Sequence, residues 1–323
     1  MKLSITVGIP TYQRGEVLCQ TLGPLLARID ETVLEIIVAD QLPDHAPTVA
    51  ARLADLRTDP RLRYLPLDSA GTTIARNRIL AAAKGDIVVF LDDDVAVSAG
   101  MFRRYGEVFA GTSADAVLGQ VFQSSHDHMA GVLADTDRPV GSPRYSGEGR
   151  WVDVPHYVMG CNHAVLRNAA LAVGGYDERF VAAAKNEEGD FFMRLSAAGG
   201  QVWYAPECWL VHFSAPSGGA RQRLRSRADE WKRSYNDLLW LVRHGRTSRT
   251  FGVSLWRALR RGPLHKRNVV RIWRQPWAWH AFFVALGRAL LGRNVVVGLT
   301  PDGGPGSCEW KRRDIRPHGA ARG

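Results

Sequence analysis

With 323 residues, 46% hydrophobic and 23% charged, the chain has ordinary globular composition and length for one large domain or two small ones. No low-complexity run or internal repeat is present. The four cysteines (Cys19, Cys161, Cys208, Cys308) form no CxxC pair, which argues against a zinc site or a disulfide framework. The net charge of +10 is unevenly divided. Residues 1–220 carry 19 basic against 26 acidic side chains, a balance of −7, and residues 221–323 carry 23 against 6, a balance of +17. The acidic part is expected to hold the chemistry and the basic part to meet an anionic surface or partner. The division falls at residues 214–219, a loop-like Ser, Pro and Gly stretch.

In chain order, residues 1–7 read as a strand rather than a signal peptide, since no long apolar region or small-residue cleavage site is present; a cytoplasmic location is expected. Residues 4–9 form the first strand, which ends at Pro10-Thr11-Tyr12. Residues 14–29 suit a helix interrupted near Gly23-Pro24. Residues 34–39 are a second strand ending at Asp40, 49–56 look helical, and 63–67 make a short strand. Residues 72–83 make a helix entered through Gly71, and 86–91 a buried strand ending at Asp92-Asp93-Asp94. Such alternation predicts a parallel sheet covered on both faces. Ligands bind beyond the carboxyl ends of strands in these sheets, so Pro10-Thr11-Tyr12, Asp40 and the aspartates should converge.

Three carboxylates at a strand end repel one another and favour a hard divalent cation, Mg²⁺ or Mn²⁺, of the kind shared with substrate phosphates. A solvated acidic turn is the plainer reading of the triplet alone. No GxGxxG or GxxxxGK[ST] loop is present, so phosphates would need the metal and basic groups such as Arg76 and Arg78. His126-Asp127-His128 lacks a third partner at helical or strand spacing and reads as a polar loop. Residues 120–156 are expected to form a mobile region over an acceptor site. Trp203 and Tyr204 suit either sugar stacking or core packing.

Taken in order, these residues resemble family 2 glycosyltransferases of the GT-A fold. The match runs through Ile9-Pro10-Thr11-Tyr12-Gln13-Arg14, Asp40, Gly71-Thr72-Thr73-Ile74-Ala75-Arg76-Asn77 and Phe90-Leu91-Asp92-Asp93-Asp94. It continues through Gly160-Cys161-Asn162, Gly174-Gly175-Tyr176-Asp177, Glu187-Glu188-Gly189-Asp190 and His212, covering residue 3 to about 215. The resemblance implies an α/β fold: a Rossmann-like mixed sheet flanked by helices, with a C-terminal helical extension. It implies a catalytic domain over 1–220, split near 115 into nucleotide-sugar and acceptor halves. It further implies an inverting enzyme with a UDP- or dTDP-sugar donor, a glycan, lipid-linked or small-molecule acceptor, and Mn²⁺ or Mg²⁺ on the diphosphate. A small natural product or peptide acceptor, and an inactive GT-A-like binding protein, are the alternatives.

By the same resemblance, Asp40 would pair with the base, and Pro10, Thr11, Tyr12, Arg14, Gly71 and Arg76 would frame the donor. Asp92 would lie near the ribose and Asp94 on the metal, with His212 completing the sphere. Asp93 would take the variable middle place, facing solvent and tolerating replacement. Gly160, Asn162 and Trp203 fall on the acceptor side. The family's general base is the Asp of a Glu-Asp pair. Here the pair is Glu187-Glu188, so Glu188 is the first candidate, with Asp190 its main rival and Glu187 behind.

Beyond residue 220, helical stretches are expected over 222–242, 250–260, 268–274 and 279–291, with Trp231, Trp240, Trp256, Trp273, Trp277 and Trp279 among many arginines. The apolar run from Ala278 stops at Arg288, too short to span a bilayer. Peripheral contact with an anionic membrane, on its cytoplasmic face, competes with helical packing or an oligomer contact. No nucleic-acid motif accompanies the charge. Residues 301–323, rich in Gly, Pro and Arg, are expected to be poorly ordered.

Overall fold

The computed structural model describes residues 3–125, 142–143, 148–152, 158–181, 186–215, 218–219, 231–245, 248–293 and 295–309. Its centre is a sheet whose first half is parallel: β3 (Leu62–Leu67), β2 (Val33–Gln41), β1 (Ile5–Thr11) and β4 (Ile87–Leu91), in that order. β1 and β4 are buried at every position, which is why they read as unbroken apolar runs rather than alternating ones. The sheet then turns mixed. β9 (Asn162–Leu166) runs antiparallel between β4 and β6 (Ala116–Gln123). β10 (Val202–His212) is parallel to β6, β5 (Val95–Val97) closes the edge antiparallel to β10, and the short β7 (Ser142–Pro143) and β8 (Arg150–Trp151) pair antiparallel with β6 and β10.

Alternate residues feed two cores. Ile5, Val7 and Ile9 join Leu18, Leu22 and Leu25 of α1 (Gly15–Arg28) on one face. Ile37, Val88 and Phe90 join Ala75, Ile79 and Leu80 of α3 (Thr72–Ala82) on the other, with Phe191 and Phe192 behind them. α2 (Pro47–Leu56) packs beside α1, its Val49 and Leu53 joining the first core. The break expected near Gly23-Pro24 does not occur: α1 runs through Pro24. Proline there forfeits one backbone hydrogen bond, and the buried Leu18, Leu22 and Leu25 stripe holds the helix together across it.

After α4 (Met101–Gly111) and α5 (Arg167–Ala172), α6 (Glu187–Ala197) carries an acidic first turn, favoured by the helix dipole. The basic third follows as α7 (Lys232–His244), α8 (Ser248–Arg261), α9 (Lys266–Val270), a 3₁₀ turn (Ile272–Arg274) and α10 (Gln275–Gly292). Part of the first stretch expected from residue 222 lies outside the described residues. The tail is corrected in part: residues 305–309 form a strand, β12 (Pro305–Glu309), antiparallel to β11 (Val295–Leu299). This hairpin returns to the body, where Leu299 N donates to Gly174 O at 3.0 Å and Glu178 N to Val297 O at 2.7 Å. Residues 310–323 lie outside the described residues.

The basic third is tied to α6 by buried charge. Arg243, on α7, donates to Asp190 Oδ1 at 2.8 Å and to Asp177 Oδ2 at 2.6 Å. Arg194 reaches Asp190 Oδ2 at 2.8 Å, and His244 Nε2 lies 2.9 Å from Asp190 Oδ1. Breaking such a cluster leaves uncompensated buried carboxylates. Arg243→Leu is therefore expected to lower unfolding stability by about 3 kcal/mol, read as a drop in chemical-denaturant midpoint. An unchanged midpoint would show that the cluster does not hold the two parts together.

Candidate active site

The expected strand ends converge. Thr11 and Asp40 are register partners at the ends of β1 and β2. Gln41 Nε2 donates to Thr11 O at 2.9 Å, and Gln41 Oε1 accepts from Gly71 N at 2.9 Å, so one side chain stitches β1, β2 and the start of α3. Asp40 is fully buried. Its Oδ2 receives His45 Nε2 and the Tyr64 hydroxyl, each at 2.6 Å, while its Oδ1 takes no hydrogen bond. Burial and the Asp40 carboxylate push the Tyr64 hydroxyl upward, keeping it a donor. A buried acceptor without a donor is costly, and this one suits an N–H from a ligand.

The three aspartates separate, though not entirely as expected. Asp93 does not face solvent: it is 3% exposed, accepts from Thr11 Oγ1 at 2.6 Å and from Arg14 at 2.9 Å, and its carbonyl receives Thr21 Oγ1 at 2.7 Å. Burial, with Asp94 beside it, pushes its pKa up to about 7 against the pull of Arg14 and Thr11. Asp93 is thus the brace that holds the strand end, and Asp92 is the most exposed of the three.

Asp94 is 1% exposed. Its Oδ2 accepts from Ala215 N at 2.7 Å and from Arg14 at 3.3 Å. Its Oδ1 takes no hydrogen bond, although His212 Nε2 lies 3.2 Å away. Against burial, His212 and then Arg14 hold the Asp94 pKa down at about 2. Against burial too, Asp92 and Asp94 push His212 up to about 10. His212 Nε2 is also 3.6 Å from Asp92 Oδ2. One ligand atom each of Asp92, Cys161 and His212 lie within 4.8 Å of one another. Asp94 Oδ1, which has no partner besides the His212 imidazole, and this carboxylate–imidazole set fit a divalent cation. The carboxylates suit Mg²⁺ or Mn²⁺, and the imidazole favours a transition metal over Mg²⁺.

The acid pair faces the same cleft, a cavity of about 180 Å³ whose lining includes Pro10, Tyr12, Gln41, Arg76, Asp92 and Glu188. Arg76, 2% exposed, donates to Glu187 Oε1 at 2.9 Å, to Glu188 Oε1 at 3.2 Å and to Gly160 O at 3.3 Å. One guanidinium thus faces two carboxyl groups. Burial and the neighbouring Glu188 push the Glu187 pKa well above the carboxylate range, against the pull of Arg76. Gly160 makes room for the arrangement: a Cβ there would stand 2.0 Å from Glu188 Oε1 and 2.5 Å from Arg76 Nη2.

Asp190, Asn162 and Trp203 are engaged away from the cleft. Asp190 is fully buried in the Arg194–Arg243–His244 cluster, which holds its pKa well below the usual range against burial. Asn162 is 1% exposed and spends its amide inside the fold, donating to Gln120 O at 2.8 Å and Cys208 O at 2.9 Å while accepting from Tyr105 at 2.7 Å. Trp203 packs edge-to-face on Trp151, with ring centroids 4.9 Å apart. It sits near the opposite end of β10 from His212, about 25–30 Å along the strand. His126, Asp127 and His128 lie outside the described residues, as does part of the region expected to cover the acceptor.

Gln41, His45, Tyr64 and Cys161 are the site neighbours that pattern reading missed. Tyr64 had a signal: it pairs with Val38, two residues before Asp40 and so on the same face of β2. Cys161 stood inside the matched Gly160-Cys161-Asn162 segment, but its partners at 92 and 212 are distant in sequence and nothing local gave it a role.

Comparison with known proteins bears on the family and the fold. The family model "Glycosyl transferase family 2" matches residues 6–173. Succinoglycan biosynthesis protein ExoM of Rhizobium meliloti (strain 1021) is 32% identical over 230 residues, 68% of this chain and 69% of that protein. Among solved structures, S. aureus TarS 1-349 in complex with UDP-GlcNAc superposes with a TM-score of 0.64 at 14% identity, covering 88% of this chain and 80% of that one. The mannosyltransferase PcManGT from Pyrobaculum calidifontis, in complex with GDP-Man and Mn²⁺, gives 0.52 at 19% identity, covering 90% and 79%.

Proposed function

Because the chain belongs to glycosyl transferase family 2 and has the GT-A fold, we propose that it transfers a sugar, with inversion, from a UDP- or dTDP-sugar to a glycan hydroxyl. One observation carries the reading: a single cleft is lined both by Asp92 of the candidate metal cluster and by the Glu188–Arg76 pair. Leaving-group stabilisation and acceptor activation need to meet at such a place.

In this reading Glu188 takes the proton of the acceptor hydroxyl on its carboxylate. It works from the face opposite the departing diphosphate, so a single displacement inverts the anomeric centre. Arg76 fixes that carboxylate and, by sharing its charge with Glu187, leaves Glu187 to carry a proton and Glu188 to receive one. Asp94, Asp92 and His212 would hold a divalent ion, which supplies Lewis-acid charge for the diphosphate when bound. Arg14 braces Asp93 and Asp94 at that end of the cleft. Asp40 Oδ1 accepts a base N–H, such as that of uracil or thymine. ExoM's part in succinoglycan biosynthesis supports a polysaccharide-type acceptor.

A thermal-shift screen of UDP-, dTDP- and GDP-sugars with and without Mn²⁺ tests the donor assignment. Metal-dependent stabilisation by a UDP- or dTDP-sugar is expected; stabilisation by GDP-sugars alone, or by none, removes it. Asp40→Asn keeps the shape but loses the charge on the accepting group. Donor affinity should fall about tenfold, seen by calorimetry with nucleotide diphosphate, while the fold stays intact. Equal affinity would take Asp40 out of the base pocket.

A further inference from the structure

The outer surface of the basic third has no use in the chemistry above. Of the 16 large hydrophobic side chains that stand exposed among the described residues, 13 lie between Phe251 and Leu291. Several are almost wholly bare: Val270 is 80% exposed, Ile272 75%, Trp273 72% and Leu291 88%. Their helices pack inward through other residues. Ala258, Phe282, Ala285 and Ala289 join Leu238 and Leu239 of α7 in a separate core, so α8 and α10 turn the exposed set away from the body. On α8 the outward positions are Val253, Trp256, Arg257 and Arg260, spaced as one helical face.

The charge on this surface has one sign. Between Asp237 and Asp302 the sequence contains 12 Lys and Arg residues and no Asp or Glu. Arg257, Arg260, Lys266, Arg271 and Arg288 are among those exposed. A second copy of the chain would bring the same positive face to it, which costs Coulomb energy on close approach. Tryptophan and branched apolar groups mixed with arginine, without acidic residues, suit a polar–apolar boundary of negative charge. No helix among the described residues is long and apolar enough to cross a membrane.

We infer that α8, α9, the 3₁₀ turn and α10 form a docking face that lies on an anionic lipid bilayer. The apolar side chains enter the headgroup boundary and the arginines pair with lipid phosphates. The inference stands on this surface alone and is independent of the donor and base assignments.

The test is co-sedimentation of the full chain with phosphatidylcholine vesicles, with and without phosphatidylglycerol, at physiological salt. Binding is expected only with the anionic lipid and should weaken as salt rises. The triple variant Val270→Ser/Ile272→Ser/Trp273→Ser changes only bare positions, so its circular dichroism and donor hydrolysis should match the parent chain. Its vesicle partitioning should fall by about a hundredfold or more. Three results overturn the inference. The parent chain could stay in solution with both vesicle types. The triple variant could bind as well as the parent. Or light scattering could reveal a dimer that the triple variant dissociates, without vesicle binding, which would give the face to a second copy.

Discussion

Glu188→Gln is expected to bind nucleotide-sugar with unchanged affinity and to lose about 10³-fold or more in transfer rate. The companion Glu187→Gln should keep most of its activity. The difference comes from proton placement within one charge cluster. Arg76 has a single positive charge and touches both side chains. Glu187 is 3% exposed, and burial together with Glu188 pushes its pKa well above the carboxylate range, which favours the neutral carboxyl. A neutral carboxyl and a carboxamide are close in shape and charge, so glutamine replaces Glu187 at small cost. Both line the cleft, but Glu188 is the more exposed to it, with its side chain 18% accessible against 4%, and glutamine there has no basic carboxylate to offer. Single-turnover transfer assays on both variants, with calorimetry for donor binding, separate the roles. Equal loss in the two would show that both negative charges are needed. Full activity in Glu188→Gln would remove the base assignment.

What the sequence made legible follows from which interactions are local. β1 and β4 are runs of β-branched and aromatic residues, and a parallel sheet buried on both faces demands such runs. The ends of these strands and of β2 therefore mark Thr11, Asp40 and the aspartates in the sequence itself. The fate of each carboxylate was not local. Asp93 looked expendable because the family resemblance gives it the variable middle place, yet Thr11 and Arg14, about 80 positions away, bury and brace it. Asp190 looked like a base because it follows Glu188 on an acidic turn. Two positions along a helix, however, turn a side chain to a different face, and Arg243 and His244 from another helix claim it there. Trp203 met the composition of a sugar platform, but its place far from His212 along β10 put it against Trp151. In each case the deciding partner came from a segment whose contact depends on the finished topology.

The glutamate at 188, where the family carries aspartate, has its structural counterpart in the glycine at 160. A methyl group at 160 would press within 2.0 Å of Glu188 Oε1 and 2.5 Å of Arg76 Nη2, so both ends of the ion pair would have to move. The Gly160 backbone is also held, since its carbonyl accepts from Arg76. Gly160→Ala is therefore expected to fold normally and to lose about 10²-fold in turnover, the scale of a roughly 1 Å misplacement of a reacting group. Glu188→Asp shortens the side chain by one methylene and draws the carboxylate back from the new methyl. The double variant Gly160→Ala/Glu188→Asp should then recover part of what Gly160→Ala alone loses, a coupling that independent sites would not display. The four-enzyme cycle read in kcat decides it. Simple additivity would mean that the glutamate reaches the acceptor without needing the space at 160. Recovery would mean that the longer base and the missing side chain form one device, and that the acceptor hydroxyl sits correspondingly further from α6.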